Sequence, residues 1–340
     1  VTEKTLTVIA EAGVNHNGDM NLARELVHAA AESGADMVKF QAFRASEIAS
    51  RASPTAAYQK DTTGLEDQLT MLRKLEFDID DFAEIAAQCR KAGIGFLCTP
   101  FDTAMTAALI DLGMPCIKVA SGELTNTPAL EHFAGFGLPV LLSTGMSTMA
   151  EVGNALDTLH KHGAGEVTLL HCTSLYPAPP ETINLLAMKA MRDRFSLPVG
   201  YSDHSEGNEI AVAAVALGAT VIEKHFTLSR DLPGPDHKAS LEPAELARMV
   251  RQLCNVGEAL GNGKKTPGAA EIEMARLVRR SWHTARGLTR GTVLDIDDVN
   301  LKRPATGLAP SISPVGRRLV RDVPADEPIR DDDLEAGTAQ

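Results

Sequence analysis

Two histidines stand where short apolar runs end. The run 196–202 closes on Asp203 and His204, and the run 219–222 closes on Glu223, Lys224 and His225. Both runs read as buried strands, and 206–217 between them has the length and Ala/Val content of one helix. Strand, helix, strand in that space is a βαβ unit, which sets the two strand ends side by side. A lone histidine at a strand end is more often a hydrogen-bonded structural residue. Two on neighbouring ends, each with an acidic residue within two positions before it, point instead to half of a divalent-metal site. Two protein ligands do not make a closed structural zinc site. Water and substrate oxygens would complete the shell, which suits Mn²⁺ or Mg²⁺ better than Zn²⁺. A metal with open positions polarises a substrate oxygen. Asp203 and Glu223 are expected to orient the two rings.

Two lysines add a second kind of chemistry. Lys39 and Lys118 each belong to an apolar run, where an unpaired ammonium is costly. One such lysine reads as an ion pair with a neighbouring carboxylate. Two from different strands, with Thr99, Ser121, Ser143 and Ser202 nearby, read as a pocket for an oxyanion. Glu11, Glu123 and Asp236 are candidates for proton transfer or for binding sugar hydroxyls, with ion pairs to the lysines as an equal alternative. Met71, Met105, Met188 and Met249 fall on amphipathic stretches and are expected in the core.

These residues need a frame that gathers strand ends. Candidate strands at 6–11, 37–41, 95–99, 116–121, 140–144, 167–172, 198–201 and 220–223 alternate with helical stretches at 21–32, 80–92, 103–112, 148–160, 183–193 and 243–260. Eight strands alternating with helices over roughly 250 residues predict a (β/α)₈ barrel. An open doubly wound sheet competes, but no GxGxxG loop follows the first strand. In a barrel the strand ends share one face, and the polar residues gather at those ends. The stretch 43–74 is too long for a simple connection. Its Tyr58, Gln59, Asp61 and Thr63-Gly64 mark it as a lid or substrate loop. The run 261–268 is a linker by composition. The expected organisation is therefore a barrel at 1–261, a linker at 262–282 and a compact, turn-rich β domain at 283–340, with 331–335 solvated.

Composition sets outer bounds. The chain has 340 residues, 44% apolar and 23% charged, with a formal net charge of −12 that argues against nucleic acid as partner. Its five cysteines are scattered and form no CxxC pair, and four sit in apolar runs, as in a reducing cytosol. The first ten residues enter a strand directly, so no signal peptide is expected. No apolar run reaches the roughly 18 residues of a membrane span.

Taken together, the segments resemble the sialic-acid synthase family, which condenses phosphoenolpyruvate with an N-acylated hexosamine. The matching strings are AEAGVNHNGD (10–19), VKFQ (38–41), CTPFD (98–102), IKVASGELTN (117–126), LSTGMS (142–147), LLHCTSLYPAP (169–179), GYSDHSEG (200–207), EKHFT (223–227) and PGPDHKASLEP (233–243). Gly291 and LKRPATG (301–307) look like the antifreeze-like SAF domain that follows the barrel in this family. The resemblance implies a divalent metal on His204 and His225, Mn²⁺ first, with Mg²⁺ or Co²⁺ as alternatives. It implies phosphoenolpyruvate contacts at Lys39, Thr99, Lys118, Ser121, Ser143 and Ser202, and acceptor-sugar contacts at Glu11, Gln41, Tyr176 and Asp236. Glu11, Lys39, Glu123 and Asp236 are taken as the catalytic set. Arg303 matches an arginine that reaches the partner subunit's site in a domain-swapped homodimer. One position departs: the neuraminate-type pattern has Asn after HCT, and this chain has Ser174, so a phosphoenolpyruvate contact there is weakened or replaced by water. The loop series YQ…TG…Q…ML…LE (58–76) is more similar to synthases acting on 2,4-diacetamido-2,4,6-trideoxymannose than to those acting on N-acetylmannosamine.

Two other readings compete. A barrel aldolase would use Lys118 or Lys39 as a Schiff base with a 2-keto acid. A carbohydrate-binding protein would carry the SAF-like domain on a degenerate barrel, and retention of both histidines and both lysines speaks against it.

Overall fold

The computed structural model describes residues 6–50, 53–54 and 67–335. Tyr58, Gln59, Asp61, Thr63 and Gly64, the marks of the expected lid, lie outside the described residues. The chain divides into two compact units, Val1–Gly261 and Asn262–Gln340.

The larger unit is built on eight parallel strands: β1 (Thr7–Gly13), β2 (Met37–Ala42), β3 (Gly95–Pro100), β4 (Ile117–Val119), β5 (Val140–Ser143), β6 (Val167–Cys172), β7 (Val199–Asp203) and β8 (Val221–His225). They are ordered β3-β2-β1-β8-β7-β6-β5-β4, so the first strand pairs with the last. The two ends of that order, β3 and β4, lie against each other and bring the sheet round into a barrel. Such strands are covered on both faces and read as continuous apolar runs rather than alternating ones. Nearly every strand residue is buried accordingly. Packing is close enough to require glycine at Gly200, where an added Cβ would stand 2.5 Å from the Val221 carbonyl oxygen and 2.6 Å from Leu170 Cδ2.

Helices cover the outside because their sequences carry one apolar stripe and firm ends. Asp19 caps Met20–Glu32 by accepting from the Asn21 amide, and Asp78 and Asp81 form a capping box on Ile79–Ala92. Gly93 ends the latter in the left-handed conformation. Leu26, Val27, Phe82, Ile85, Leu246 and Met249 face inward from these helices and from Pro243–Leu260. Each buried side chain of this size contributes about 1.5–3 kcal/mol. Met105, Met188 and Met249 belong to the main core, and Met71 to a small cluster with Val14, Phe43 and Leu75.

Strand ends differ from expectation where the site is built. The last two strands run further than 201 and 223, so His225 is itself the final residue of β8 and His204 directly follows β7. β4 is only three residues long, and Ser121–Glu123 forms a 3₁₀ turn instead of continuing it.

In the smaller unit, helix Ala269–Val278 precedes strand β9 (Ser281–Thr284), which pairs antiparallel with β10 (Val299–Lys302). Its core gathers Leu288, Leu294, Val299, Leu308, Leu319, Val323, Ile329 and Leu334, with Trp282 packed against them. The stretch 331–335 is not wholly solvated. Asp333 is buried, accepts from the Arg330 amide at 2.8 Å and from Arg321 Nε at 2.5 Å, and Leu334 is part of the core. No helix among the described residues is long and apolar enough to cross a membrane.

Candidate active site

The carboxyl ends of the strands enclose a cavity of about 500 Å³. An irregularity in β1 shapes the side lined by Glu11 and Gln41. The register shifts between Glu11 and Gly13, and Glu11 stands opposite Lys39 on one neighbour and His225 on the other. Gly13 has φ +55, and an added Cβ there would lie 3.3 Å from both Gln41 Nε2 and Glu11 Oε1. A side chain at 13 would therefore crowd the site, which only glycine avoids.

The floor is a network of charges. Lys39 Nζ is 2.6 Å from Glu11 Oε2 and 3.7 Å from Glu223 Oε2, and it donates to Thr99 Oγ1 at 2.8 Å. Lys118 Nζ donates to Ser143 Oγ at 2.7 Å and lies 3.9 Å from Glu223 Oε1. Glu223 also accepts from Ser202 Oγ at 2.8 Å. One carboxylate thus sits between two ammonium groups. Burial by itself would raise Glu223, but Lys118, Lys39 and the Ser202 hydroxyl outweigh it and hold the carboxyl at about 2. Burial lowers Lys118, helped by the like charge of Lys39, with Glu223 opposing. For Lys39 the pull of Glu11 and Glu223 exceeds burial, and its ammonium is the more firmly charged. Glu11 moves the other way: burial and the neighbouring Glu223 outweigh Lys39 and raise it. Asp236 is buried close to Glu11, and burial plus that carboxylate push it up to about 7. The site therefore brings two lysines to where an anion could bind, beside one carboxyl, Asp236, able to carry a proton near neutrality and a second, Glu11, shifted in the same direction.

The histidines stand on the β7 and β8 side with ring centroids 5.5 Å apart. His204 Nδ1 donates to the Thr173 carbonyl oxygen at 2.7 Å, which assigns the proton to Nδ1 and leaves a lone pair on Nε2. Ser202 Oγ approaches that nitrogen only to 3.5 Å. His225 Nδ1 is buried and has no hydrogen-bond partner among the described residues. Burial lowers both rings, His225 the more, with the His204 ring as its second cause, so each is held neutral. Among the described residues no third His, Cys, Asp or Glu joins them. Two neutral imidazoles with room for water or substrate fit a divalent cation. Tyr176 packs over both, 4.2 Å from the His204 ring and 5.7 Å from His225.

Asp203 and Glu223 do not orient these rings. Glu223 serves the lysines. Asp203 faces away and accepts from Lys224 Nζ at 2.8 Å and from the Ser205 amide at 2.8 Å. The second partner of His204 is a main-chain carbonyl, which has no signature in sequence.

Of the residues singled out from sequence, the cavity gathers Glu11, Lys39, Gln41, Thr99, Lys118, Ser121, Ser143, Ser174, Tyr176, Ser202, His204 and His225. Asp236 lies behind Glu11, outside the lining set. Glu123 is also outside it and accepts from Asn126 Nδ2 at 2.6 Å. Arg303 belongs to the smaller unit, where it is exposed after β10. Gln68, Phe101, Met146 and Cys172 line the cavity as well; they fall within the matching strings but carry no assigned role there. Cys172 ends β6, Phe101 and Met146 follow β3 and β5, and Gln68 opens the helix Gln68–Arg73.

Residues 26–265 match the model of the NeuB family, and residues 279–335 match the SAF domain. The N,N'-diacetyllegionaminic acid synthase of Campylobacter jejuni is 46% identical over 90% of this chain and 92% of its own. The enzyme of that name from Legionella pneumophila is 43% identical over 98% and 95%. The crystal structure of N-acetylneuraminic acid (sialic acid) synthetase from Leptospira borgpetersenii, in complex with citrate, superposes with a TM-score of 0.71 at 36% identity, covering 79% of this chain and 90% of that one. Synthases of the family are metal-dependent, as the paired neutral imidazoles lead one to expect. A barrel with two lysines under an open histidine pair thus finds its place among known proteins: this chain belongs to the NeuB family, as a phosphoenolpyruvate-dependent condensing enzyme of the legionaminic and sialic acid synthase type.

Proposed function

We propose that the acceptor is 2,4-diacetamido-2,4,6-trideoxymannose, and that the chain joins it to phosphoenolpyruvate in the cytoplasm to make a legionaminate-type acid. The observation that carries the reaction is the convergence of Lys39, Lys118, His204 and His225 on one cavity. The acceptor rests on the two relatives named for diacetyllegionaminic acid, at 46% and 43% identity against 36% for the neuraminic acid synthetase. N-Acetylmannosamine is the second candidate.

In this reading Lys39 and Lys118 bind the phosphate and carboxylate of phosphoenolpyruvate. Thr99, Ser121, Ser143 and Ser202 orient it, with Ser174 at the rim. Glu223 keeps both ammonium groups in place between turnovers. His204 and His225 would hold Mn²⁺, with Mg²⁺ or Co²⁺ as substitutes. When bound, the metal supplies Lewis acidity to the sugar's aldehyde oxygen, an effect worth several kcal/mol in a dry site. Gln41, Tyr176 and Asp236 hold the open-chain sugar. C3 of phosphoenolpyruvate attacks the aldehyde carbon, water adds at C2, and the C2–O bond to phosphate breaks. Glu11, raised by burial, is suited to move the proton of that water. Glu123, tied to Asn126, has no part in this scheme. Arg303 is assigned to the site of a second subunit in a swapped dimer.

Phosphate release from phosphoenolpyruvate with a panel of N-acyl hexosamines tests the proposal. The diacetamido sugar should be used with the highest kcat/KM. Preference for N-acetylmannosamine would replace the acceptor, and borohydride trapping of an imine on Lys118 would replace the chemistry.

A further inference from the structure

A second cavity, of about 480 Å³, opens between the helices that follow β5 and β6, Met149–Lys161 and Leu186–Phe195. It adjoins the catalytic cavity, for Met146, Cys172 and Ser174 line both. The two differ in character. The catalytic cavity carries two lysines and two glutamates, whereas among the described residues no Asp, Glu, Lys or Arg lines the second. Its inner wall is apolar, with Val152, Ile183 and Met191 almost fully buried. His171 is committed to the Ile183 carbonyl oxygen at 2.7 Å, and burial biases its ring to the neutral form. A charged ligand has nothing to pair with there. A neutral group with an apolar end fits.

The wall between the cavities is thin for a reason visible in the residues. An added Cβ on Gly145 would stand 2.4 Å from Ser174 Oγ, 2.8 Å from Ser121 Oγ and 3.0 Å from Cys172 Sγ. Four small residues meet at that point, and an asparagine at 174 would have to turn its longer amide into one cavity or the other. Beside them Met146 has φ +61, a backbone conformation seldom adopted by residues with side chains, and it is 74% exposed. A flexible side chain held there can move aside without disturbing the core.

We infer that this second cavity is an acyl subsite, which receives one N-acyl arm of the acceptor sugar past Ser174 and admits chains longer than acetyl. The inference rests on the condensation proposed above and adds what sets its acceptor range. An acetamido arm needs on the order of 100 Å³ at ~30 Å³ per water-sized group, and the cavity offers about 480 Å³. The excess is room for a longer aliphatic acyl chain.

The test compares N-acetyl, N-butanoyl and N-hexanoyl forms of the acceptor in the full-length enzyme with Mn²⁺, in wild type, Ala187→Phe and Leu175→Trp. Ala187 lines the cavity from its helix and Leu175 from its exposed rim, so a folding failure in one leaves the other. Wild type should use the butanoyl form within about tenfold of acetyl in kcat/KM, and each variant should lose about tenfold or more on the longer chains. The KM for phosphoenolpyruvate should stay near wild type, and the loss on the acetyl form should be smaller than on the longer chains. A chain-length profile unmoved by both variants, or rejection of the longer chains by wild type while acetyl turns over, overturns the acyl subsite alone. Absence of phosphate release with every sugar, acetyl included, overturns the condensation itself and the subsite with it.

Discussion

Lys224 Nζ lies 2.8 Å from Asp203 Oδ2, and both side chains are completely buried. Lys224 also donates to the Ser205 carbonyl oxygen, and Asp203 Oδ1 accepts from the Ser205 amide and hydroxyl. The pair ties the end of β8 to the end of β7, and each partner is the chain neighbour of a proposed metal ligand. Removing one partner of a buried pair leaves an uncompensated charge, at a cost of ~3–5 kcal/mol. Lys224→Met should therefore lower stability in urea by about that amount, and Lys224→Met with Asp203→Leu should recover much of it. A single variant within about 0.5 kcal/mol of wild type, the range of ordinary surface changes, would show that the pair anchors nothing.

That pairing was within reach of the sequence. Side chains alternate along a strand, so Ser202 and His204 share one face while Asp203 takes the other, and Glu223 and His225 share one face while Lys224 takes the other. That alternation turns Asp203 away from the His204 ring and towards Lys224. The eight strands, the barrel and most of the cavity lining were legible because a parallel barrel puts every strand end on one face, so locating the strands locates the site. Thr173 was not legible, since its contribution is a carbonyl oxygen. Nor were Gln68 and Met146, whose place depends on how loops fold back. Glu123 stands outside the cavity lining for a related reason: the chain turns at Ser121–Glu123 instead of extending, and its carboxylate meets Asn126.

His225→Ala removes one of two imidazoles. Titration calorimetry with Mn²⁺ alone should show affinity reduced by at least about 10²-fold, in line with what a lost ligand or its immediate support costs. Turnover should fall by ~10³-fold or more, roughly 4 kcal/mol of transition-state stabilisation, while the unfolding midpoint stays close to wild type. Full activity in excess chelator would end the assignment of a metal to this pair.

Lys118 is proposed for the anionic substrate. Lys118→Ala should raise the KM for phosphoenolpyruvate by about tenfold or more and leave that for the sugar nearly unchanged, since a charge-assisted contact is worth ~1.5–3 kcal/mol. A change confined to the sugar KM would move Lys118 out of the phosphate pocket.

Asp236 supplies the pH dependence. Its carboxyl is raised from 3.8 to about 7, so the folded state binds the extra proton between those values. Stability contributed by this group therefore falls as pH rises through that window and stays low above about 7. Asp236→Asn carries no such charge. It should be the more stable protein at about pH 8, by on the order of a few kcal/mol, and the advantage should vanish near pH 4. Parallel stability curves for the two proteins across this range would mean that Asp236 ionises freely.

Arg303 closes the argument from the smaller unit. Arg317, Arg321 and Lys302 there pair with Asp331, Asp333 and Asp326, whereas the exposed Arg303 has no such partner among the described residues of that unit. An arginine without a carboxylate, next to the stiff Pro304, is ready for the amide or hydroxyl oxygens of a sugar. The proposed swapped dimer makes a specific demand on it. Arg303→Ala subunits and His204→Ala subunits should each be inactive, and mixing them should restore activity. Each mixed dimer then holds one site with an intact His204 and an Arg303 from the other chain. Random exchange at equal concentrations makes about half of the dimers mixed, so with one good site of two, recovery should approach a quarter of wild-type activity, as expected for an isologous pair. Failure to recover despite verified subunit exchange would place Arg303 in the site of its own chain or outside the chemistry.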